Sequence, residues 1–165
     1  MAIASNTLQG SWTLWAHLPH DTDWSLSSYK KIMDFSSVEE AIVLTETLPH
    51  KMIRNCMLFI MRKGINPMWE DTQNKQGGSF SYKVSNKNIP VTWRELTYKL
   101  VGETMVSLPA FQSAINGITI SPKKNFCVIK IWMANCNSQD STIIGDVAQG
   151  IVCQGCLFKK HNPEY

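Results

Sequence analysis

The chain has 165 residues, enough for one domain with a sizeable hydrophobic core. Its composition, 44% apolar and 18% charged, is that of an ordinary globular protein, and a net charge of only +3 excludes a broadly basic surface for long nucleic acid. No apolar run reaches the length of a membrane span, and residues 1–5 lack the charged start and apolar core of a signal peptide.

The predicted elements follow the order β, β, α, β, β, α, β, β, α, β. Residues 1–11 are small and polar and are predicted to be a flexible lead-in to a single domain over residues 12–165. Strands are predicted over residues 12–18, 29–35, 54–62, 79–84, 112–121, 126–134 and 156–161. Helices are predicted from Ser36 or Ser37 to Pro49, from Pro90 to Gly102, and over residues 138–148.

Few of these strands are joined by helical crossovers, so the pattern favours an α+β fold. We expect a single curved antiparallel sheet with about three helices on its convex face. The glycines at 77 and 78 and the alternation over residues 79–84 also suggest a hairpin with the preceding strand, with Glu70 near its loop. The concave face would then present loop residues to a ligand.

Two of the six tryptophans lie in polar loops, where core packing does not call for an indole. Trp24 stands alone in the loop over residues 20–25. Trp69 stands next to Glu70, between a proline turn and the polar, glycine-punctuated residues 72–78. An indole beside a carboxylate can receive a flat cationic ring, because the ring quadrupole attracts the cation and the carboxylate accepts from its N–H groups. A Trp packed under its own loop explains the spacing equally well.

Five cysteines, an odd and scattered set, favour reduced thiols in a cytosolic protein over a disulfide framework. Cys153 and Cys156 form a lone CxxC motif. A zinc site there would need two further ligands, for which Cys136 and His161 are the candidates. A thiol or zinc protein, or a nucleotide-handling enzyme using Cys153 and Cys156, is therefore kept as an alternative of another class.

Several stretches recur together in a known family, in the same order and at similar spacing. They are Trp12-Thr13-Leu14-Trp15, the isolated Trp24, Phe35-Ser36-Ser37-Val38-Glu39-Glu40, residues 64–71 followed by Asn74-Lys75-Gln76-Gly77-Gly78, Leu100-Val101-Gly102-Glu103, and Ile129-Lys130-Ile131-Trp132. Over nearly its whole length the chain thereby resembles the eukaryotic translation initiation factor 4E family, which binds the 5′ cap of messenger RNA. It resembles a divergent member, and whether its origin is cellular or viral is left open.

The resemblance implies a binding site for 7-methylguanosine, whose methylated base carries a positive charge. It implies that Trp24 and Trp69 stack on the two faces of that base, and that Glu70 accepts hydrogen bonds from the guanine edge. It further implies that the backbone N–H of Trp69 donates to the guanine O6 and that Trp132 contacts the methyl group. The expected protein is cytoplasmic, uses no cofactor or metal, catalyses no reaction and is a monomer outside its complexes.

The phosphate side of this site departs from the family. Ser79, Ser121 and Val128 fall where the family usually has two arginines and a lysine. By position, the candidates to replace these cations are Lys123, Lys124, Lys130, Lys159 and Lys160. Lys130 and Lys124 are the favoured substitutes, and solvated lysines on a basic surface explain the same residues equally well.

The partner side departs as well. Members of the family dock a helix of a scaffold subunit or a repressor on the convex face, and Ile42 falls where they carry a Trp. Arg94 and Tyr98 stand where leucines are usual. The predicted contact residues for a partner helix are Leu8, Val38, Ile42, Glu95 and Tyr98. Two versions of the function stay open: recruitment of capped messenger through a scaffold, and a cap-sequestering repressor that does not bind it.

Overall fold

Seven strands form one antiparallel sheet in a computed structural model of the chain, which describes residues 6–162. In chain order they are β1 (Thr7–His17), β2 (Tyr29–Ser37), β3 (Met57–Arg62), β4 (Gly78–Ser85), β5 (Ile115–Pro122), β6 (Phe126–Met133) and β7 (Leu157–Lys160). Their order across the sheet is β2-β1-β3-β5-β6-β4-β7, and every pairing is antiparallel. The predicted α+β class with one antiparallel sheet is confirmed.

The helices pack on one face of this sheet. They are α1 (Val38–Thr47), α2 (His50–Asn55), α3 (Ile89–Val101) and the short α4 (Pro109–Gln112). The main hydrophobic core joins Leu44, Ile53 and Trp93 of the helices to inward-facing strand residues such as Ile131. A separate small cluster around Phe59, on the other face, contains no helix residue. That second face is therefore left open to a ligand, and no helix in the described part of the chain could span a membrane.

The capping box predicted before α1 is present at the second of its two candidate positions. The Ser37 hydroxyl accepts from the Glu40 amide at 3.1 Å and donates to the Glu40 carboxylate at 2.9 Å. The same carboxylate accepts from the Ser36 amide at 3.2 Å. Such a cap contributes about 1 kcal/mol and fixes where the helix begins.

The side chains of β6 alternate between the two faces of the sheet. Cys127, Ile129, Ile131 and Met133 are buried in the main core. Lys130 and Trp132 point to the opposite face, where Trp132 belongs to the small cluster. This alternation delivers a cation and an indole to the same open face.

Several predicted elements differ from the structure; the strand predicted over 112–121, for example, begins only at Ile115. Residues 7–11, assigned to the lead-in, belong to β1, while residues 1–5 of the lead-in lie outside the described residues. The strand predicted over 54–62 begins only at Met57, because α2 occupies the residues before it. The helix predicted over 138–148 is wrong: only a 3-10 turn at Ser141–Ile143 forms, and Ile144 pairs with Val106 across an isolated bridge.

The predicted hairpin between β3 and β4 is also wrong. β4 pairs with β6 and β7, while β5 takes the place beside β3. Because β3 and β4 are not paired with each other, the segment between them is not a hairpin turn. It is a loop with its own internal hydrogen bonds. Glu70 nevertheless lies in that loop, over the open face of the sheet.

A close backbone approach at Gly77 closes this loop onto the sheet. A Cβ built on Gly77 would collide with the carbonyl group of Met133, which is backbone and cannot move aside. We expect Gly77→Ala to lower the free energy of unfolding by at least about 2 kcal/mol, within the usual cost of overpacking. The measurement is urea unfolding followed by tryptophan fluorescence, with the m-value checked for constancy. Gly145→Ala, whose Cβ would lie 3.5 Å from the Met105 carbonyl oxygen, is the control and should change stability by less than about 0.5 kcal/mol.

Candidate functional site

A cleft of about 410 Å³ lies on the sheet face opposite the helices. Its lining residues are Trp24, Tyr29, Met57, Phe59, Pro67, Met68, Trp69, Glu70, Ser79, Ser81, Lys130, Trp132, Lys159, Lys160 and His161. A second cavity of about 650 Å³, here called the outer groove, adjoins the cleft and shares two residues with it. The outer groove is lined by His17, Leu18, Pro19, His20, Asp21, Trp24, Lys51, Arg54, Asn55, Met57, Ser121, Pro122 and Lys123.

Trp24 is half exposed at the border of the two cavities, and its indole is held from one side. The imidazole of His17 stacks on it with ring centroids 3.9 Å apart and planes 3° from parallel. His17 is buried, and its Nε2 lies 2.8 Å from the Asp23 carbonyl oxygen. A carbonyl only accepts, so this nitrogen carries the proton and ties the loop to the end of β1. The indole is thus 52% exposed at the cleft rather than packed under its own loop.

Trp69, which is 38% exposed, stands on a loop organised by a buried amide. The Asn74 side chain donates to the carbonyl oxygens of Asn66 at 3.1 Å and Met68 at 2.8 Å. It also accepts from the Asn116 side chain on β5 at 2.9 Å. Asn74 has no exposed surface, so each of these bonds replaces water and fixes the loop firmly.

Glu70 and Tyr29 meet in the cleft. Burial raises the pKa of the Tyr29 hydroxyl, and the negative charge of Glu70 raises it further. An exposed carboxylate therefore faces the same space as the Trp69 ring. Trp132 is 7% exposed, and its indole N–H donates to Thr119 Oγ1 at 2.7 Å, so its ring is immobilised in the lining of the cleft.

His161 lies beside Ser79 in the lining of the cleft. Its Nδ1 lies 2.8 Å from the Asn74 carbonyl oxygen and therefore carries the proton. Its Nε2, 2.6 Å from Ser79 Oγ, then accepts from that hydroxyl. The ring lies 4.7 Å from that of Trp132. Burial lowers the pKa of His161, and the neighbouring Lys130 charge lowers it further.

The predicted phosphate-binding lysines divide between the two cavities. Lys130, Lys159 and Lys160 line the cleft, and Lys123 lines the outer groove. Lys124, one of the two favoured substitutes, lines neither of them. Burial lowers the pKa of Lys130, and the positive charges of Lys123 and Lys159 lower it further.

The predicted partner-helix residues assemble on the other side of the protein. A mostly apolar cavity of about 400 Å³, here called the helix-side groove, is lined by Leu8, Val38, Ala41, Ile42, Tyr98, Val101 and Gly102. The Tyr98 hydroxyl lies 2.6 Å from Thr45 Oγ1, which joins α3 to α1 beside it. Glu95 is outside this groove, and its carboxylate accepts from the Gln149 amide at 3.2 Å.

The CxxC motif lines none of the three cavities described above. Among residues 6–162 no group of three or more His, Cys, Asp or Glu side chains could hold a metal ion. His161 is engaged with Ser79 and Asn74 instead. Burial raises the pKa of the Cys156 thiol, which disfavours the reactive thiolate.

Several cleft residues have no signal in the sequence that sets them apart. Tyr29, Met57 and Phe59 read as ordinary strand residues, and their role follows only from the strand order. The sequence marks Ser79 only as a position that lacks the cation usual in the family. It marks His161 only as a candidate zinc ligand, since nothing local shows that β7 runs beside β4.

Comparison with known proteins gives a consistent family match. The model of the family described as "Eukaryotic initiation factor 4E" matches residues 7–162. Translation initiation factor 4E-2 of Schizosaccharomyces pombe is 31% identical over 147 residues, which is 84% of this chain and 58% of that protein. The chain thus spans about three fifths of the length of such curated relatives, 60% in the case of the Saccharomyces cerevisiae factor.

Solved structures agree with the fold. A schistosome initiation factor 4E in complex with m7GpppG and a 4E-binding protein has a TM-score of 0.72 at 25% identity, covering 82% of this chain and 76% of that chain. The C. elegans factor 4E-3, in complex with the 4E-binding protein Mextli and a cap analogue, has a TM-score of 0.72 at 24% identity, covering 81% and 76%.

The buried imidazole of His161 predicts a pH-dependent stability. Because its pKa is held below the ordinary value of 6.5, the unfolded chain binds a proton there at a higher pH than the folded chain does. The contribution of His161 to the free energy of unfolding should therefore be fully present above pH 6.5. It should be lost as the pH falls from 6.5 through the lowered pKa. Urea unfolding between about pH 7.5 and pH 5.5 should show a shallower loss in His161→Gln than in the unchanged protein. Equal slopes in the two proteins would contradict the prediction.

Proposed function

The chain belongs to the eukaryotic initiation factor 4E family, and on that premise we propose that it binds the 7-methylguanosine cap of messenger RNA in the cleft. The proposal places the methylated base between Trp24 and Trp69 and the cap phosphates toward Lys130 and Lys159. The observation that carries it is the convergence on one cleft of two exposed indoles and the Glu70 carboxylate. The protein then acts in translation by binding, not by catalysis.

The base half of the cleft has chemistry suited to this ligand. Methylation at N7 leaves a positive charge on guanine, which an indole face attracts by cation–π interaction. Stacking on each aromatic ring contributes about 1–3 kcal/mol. Glu70 can accept from the N1–H and the 2-amino group together, and charge-assisted bonds of that kind are the strong ones. Trp132, held by Thr119, supplies an apolar surface for the methyl group.

In this proposal the phosphate half combines two of the predicted lysines with a Ser–His pair that the sequence did not indicate. Lys130 and Lys159 line the cleft and carry the positive charge. Ser79 and His161 form a hydrogen-bonded pair beside them. A phosphate placed there would favour protonation of His161, because its charge offsets the burial and the Lys130 charge that now oppose it.

The helix-side groove supports an interaction with a partner helix. Its apolar lining lies between α1 and α3, where the apolar face of an amphipathic helix can be buried. Ile42 and Val38 are exposed at 45% and 39%, which leaves apolar surface for such a partner to cover. We propose that a scaffold subunit or a repressor of the 4E-binding kind docks there. The runner-up is a cap-sequestering protein that binds no scaffold.

Removing the Glu70 charge tests the base half. Glu70→Gln keeps the size of the side chain but weakens two hydrogen bonds to a cationic ring, so affinity for 7-methyl-GTP should fall by about 1.5–3 kcal/mol, or roughly 10–100-fold. Trp69→Ala should cost about 1–3 kcal/mol. Quenching of tryptophan fluorescence measures the affinity of Glu70→Gln, and calorimetry that of Trp69→Ala. Glu46→Gln, on α1, is the matched control. Equal binding of 7-methyl-GTP and GTP by the unchanged protein would refute the proposal.

Comparing ligands of different phosphate number tests the phosphate half. Affinity should rise from 7-methyl-GMP to 7-methyl-GTP, and the rise should shrink with added salt. Lys130→Ala should reduce the gain and lower the salt slope by about 1. Lys124→Ala, which removes the same charge from a residue outside the cleft, should change neither. The assignment of Lys130 fails if the two variants behave alike.

A charge placed in the helix-side groove tests partner binding. Ile42→Glu buries a carboxylate against the partner helix and should abolish binding of a 4E-binding helical peptide at micromolar concentration. Val43→Glu, on the neighbouring exposed position of α1 outside the groove, should leave it intact. Calorimetric titration of the peptide provides the readout. If the unchanged protein binds no peptide at high micromolar concentration, the cap-sequestering version of the function is favoured.

A further inference from the structure

The outer groove is lined by three cations that do not line the cleft. Lys51 and Arg54 stand three residues apart on α2, so both project to the same side of that helix. Lys123 reaches the groove from the turn between β5 and β6. Asp21 is the one carboxylate in its lining, and that carboxylate accepts from the Asp23 amide at 2.9 Å.

These three cations are not neutralised by neighbours. Within the described part of the chain, the ion pairs join Lys31 and Lys63 to Asp34, and Arg62 to Glu103, all outside the groove. Lys51, Arg54 and Lys123 thus line one cavity of about 650 Å³, and none of the three is in an ion pair of the described residues. Cations that converge on a groove without acidic partners are suited to phosphate groups, which they can hold with any base sequence.

The groove continues from the cleft and does not stand apart from it. Trp24 and Met57 belong to the lining of both cavities. Lys123, in the groove, is close enough to Lys130, in the cleft, to disfavour the charge of Lys130. The two adjoining cavities therefore both carry cations, Lys159 and Lys130 in the cleft and Lys123 with the two cations of α2 in the groove. The groove also offers flat and apolar surface from Leu18, Pro19 and Pro122 for a sugar or a base.

We propose that the outer groove binds the ribose-phosphate backbone of the first nucleotides that follow the cap. This inference rests on the proposed function, because the cap phosphates must first place the RNA chain at the Lys123 end of the groove. Recognition there is by charge and stacking, so it is independent of sequence. The groove gives capped RNA an affinity above that of the isolated cap.

The test compares a capped hexanucleotide with 7-methyl-GTP, using the Lys51→Ala/Arg54→Ala double variant. Fluorescence anisotropy should show the hexanucleotide losing about tenfold in affinity, with a salt slope smaller by about 1.4 for two lost contacts to a single strand. The affinity for 7-methyl-GTP should not change, because neither residue lines the cleft. Lys87→Ala/Arg94→Ala removes the same two charge types from exposed positions outside the groove and is the matched control.

Failure of this inference can be told from failure of the proposed function. If 7-methyl-GTP binds and both double variants hold the capped hexanucleotide equally, the outer groove is not an RNA site. If 7-methyl-GTP does not bind at all, cap recognition fails, and an uncapped hexanucleotide at low salt still tests the groove. If only the Lys51→Ala/Arg54→Ala variant binds the uncapped hexanucleotide more weakly, the inference is supported. If both double variants bind it equally well, the inference is overturned. A groove that binds a poly-glutamate peptide but not RNA also overturns it.

Discussion

The site depends on one buried amide group. Asn74, with no exposed surface, donates to the carbonyl oxygens on both sides of Pro67 and accepts from Asn116 on β5. Its own carbonyl oxygen accepts from His161, which follows β7. A single side chain and its backbone thereby join the loop carrying Trp69 to the middle and the edge of the sheet. Because buried amides need their partners, these bonds stabilise the loop in this conformation.

The cleft and the helix-side groove lie on opposite faces of the sheet. The helices cover one face with a continuous core, and their outer surface keeps an apolar groove between α1 and α3. The other face is covered only by a small aromatic cluster, above which lies the cleft. A ligand in the cleft and a helix in the helix-side groove can therefore be bound at once, since the sheet and its core separate them.

The proposed phosphate half of the cleft would perform the expected chemistry with other groups. Ser79 is joined to His161 by a hydrogen bond, and lysines of β6 and β7 belong to the same lining. In this proposal a fixed positive charge is replaced in part by His161, whose protonation depends on its surroundings. The outer groove would add the cations of Lys123 and α2 beyond the cleft.

The sequence by itself determined the elements whose signal is local. The capping box at Ser37, the alternation of β6 and the polar setting of Trp24 and Trp69 are readable because each depends on neighbours within about four residues. Tertiary structure alone decided that β4 lies between β6 and β7, which brings His161 to Ser79 and excludes the expected hairpin. Pairing between distant strands depends on long-range packing, and no local pattern records it.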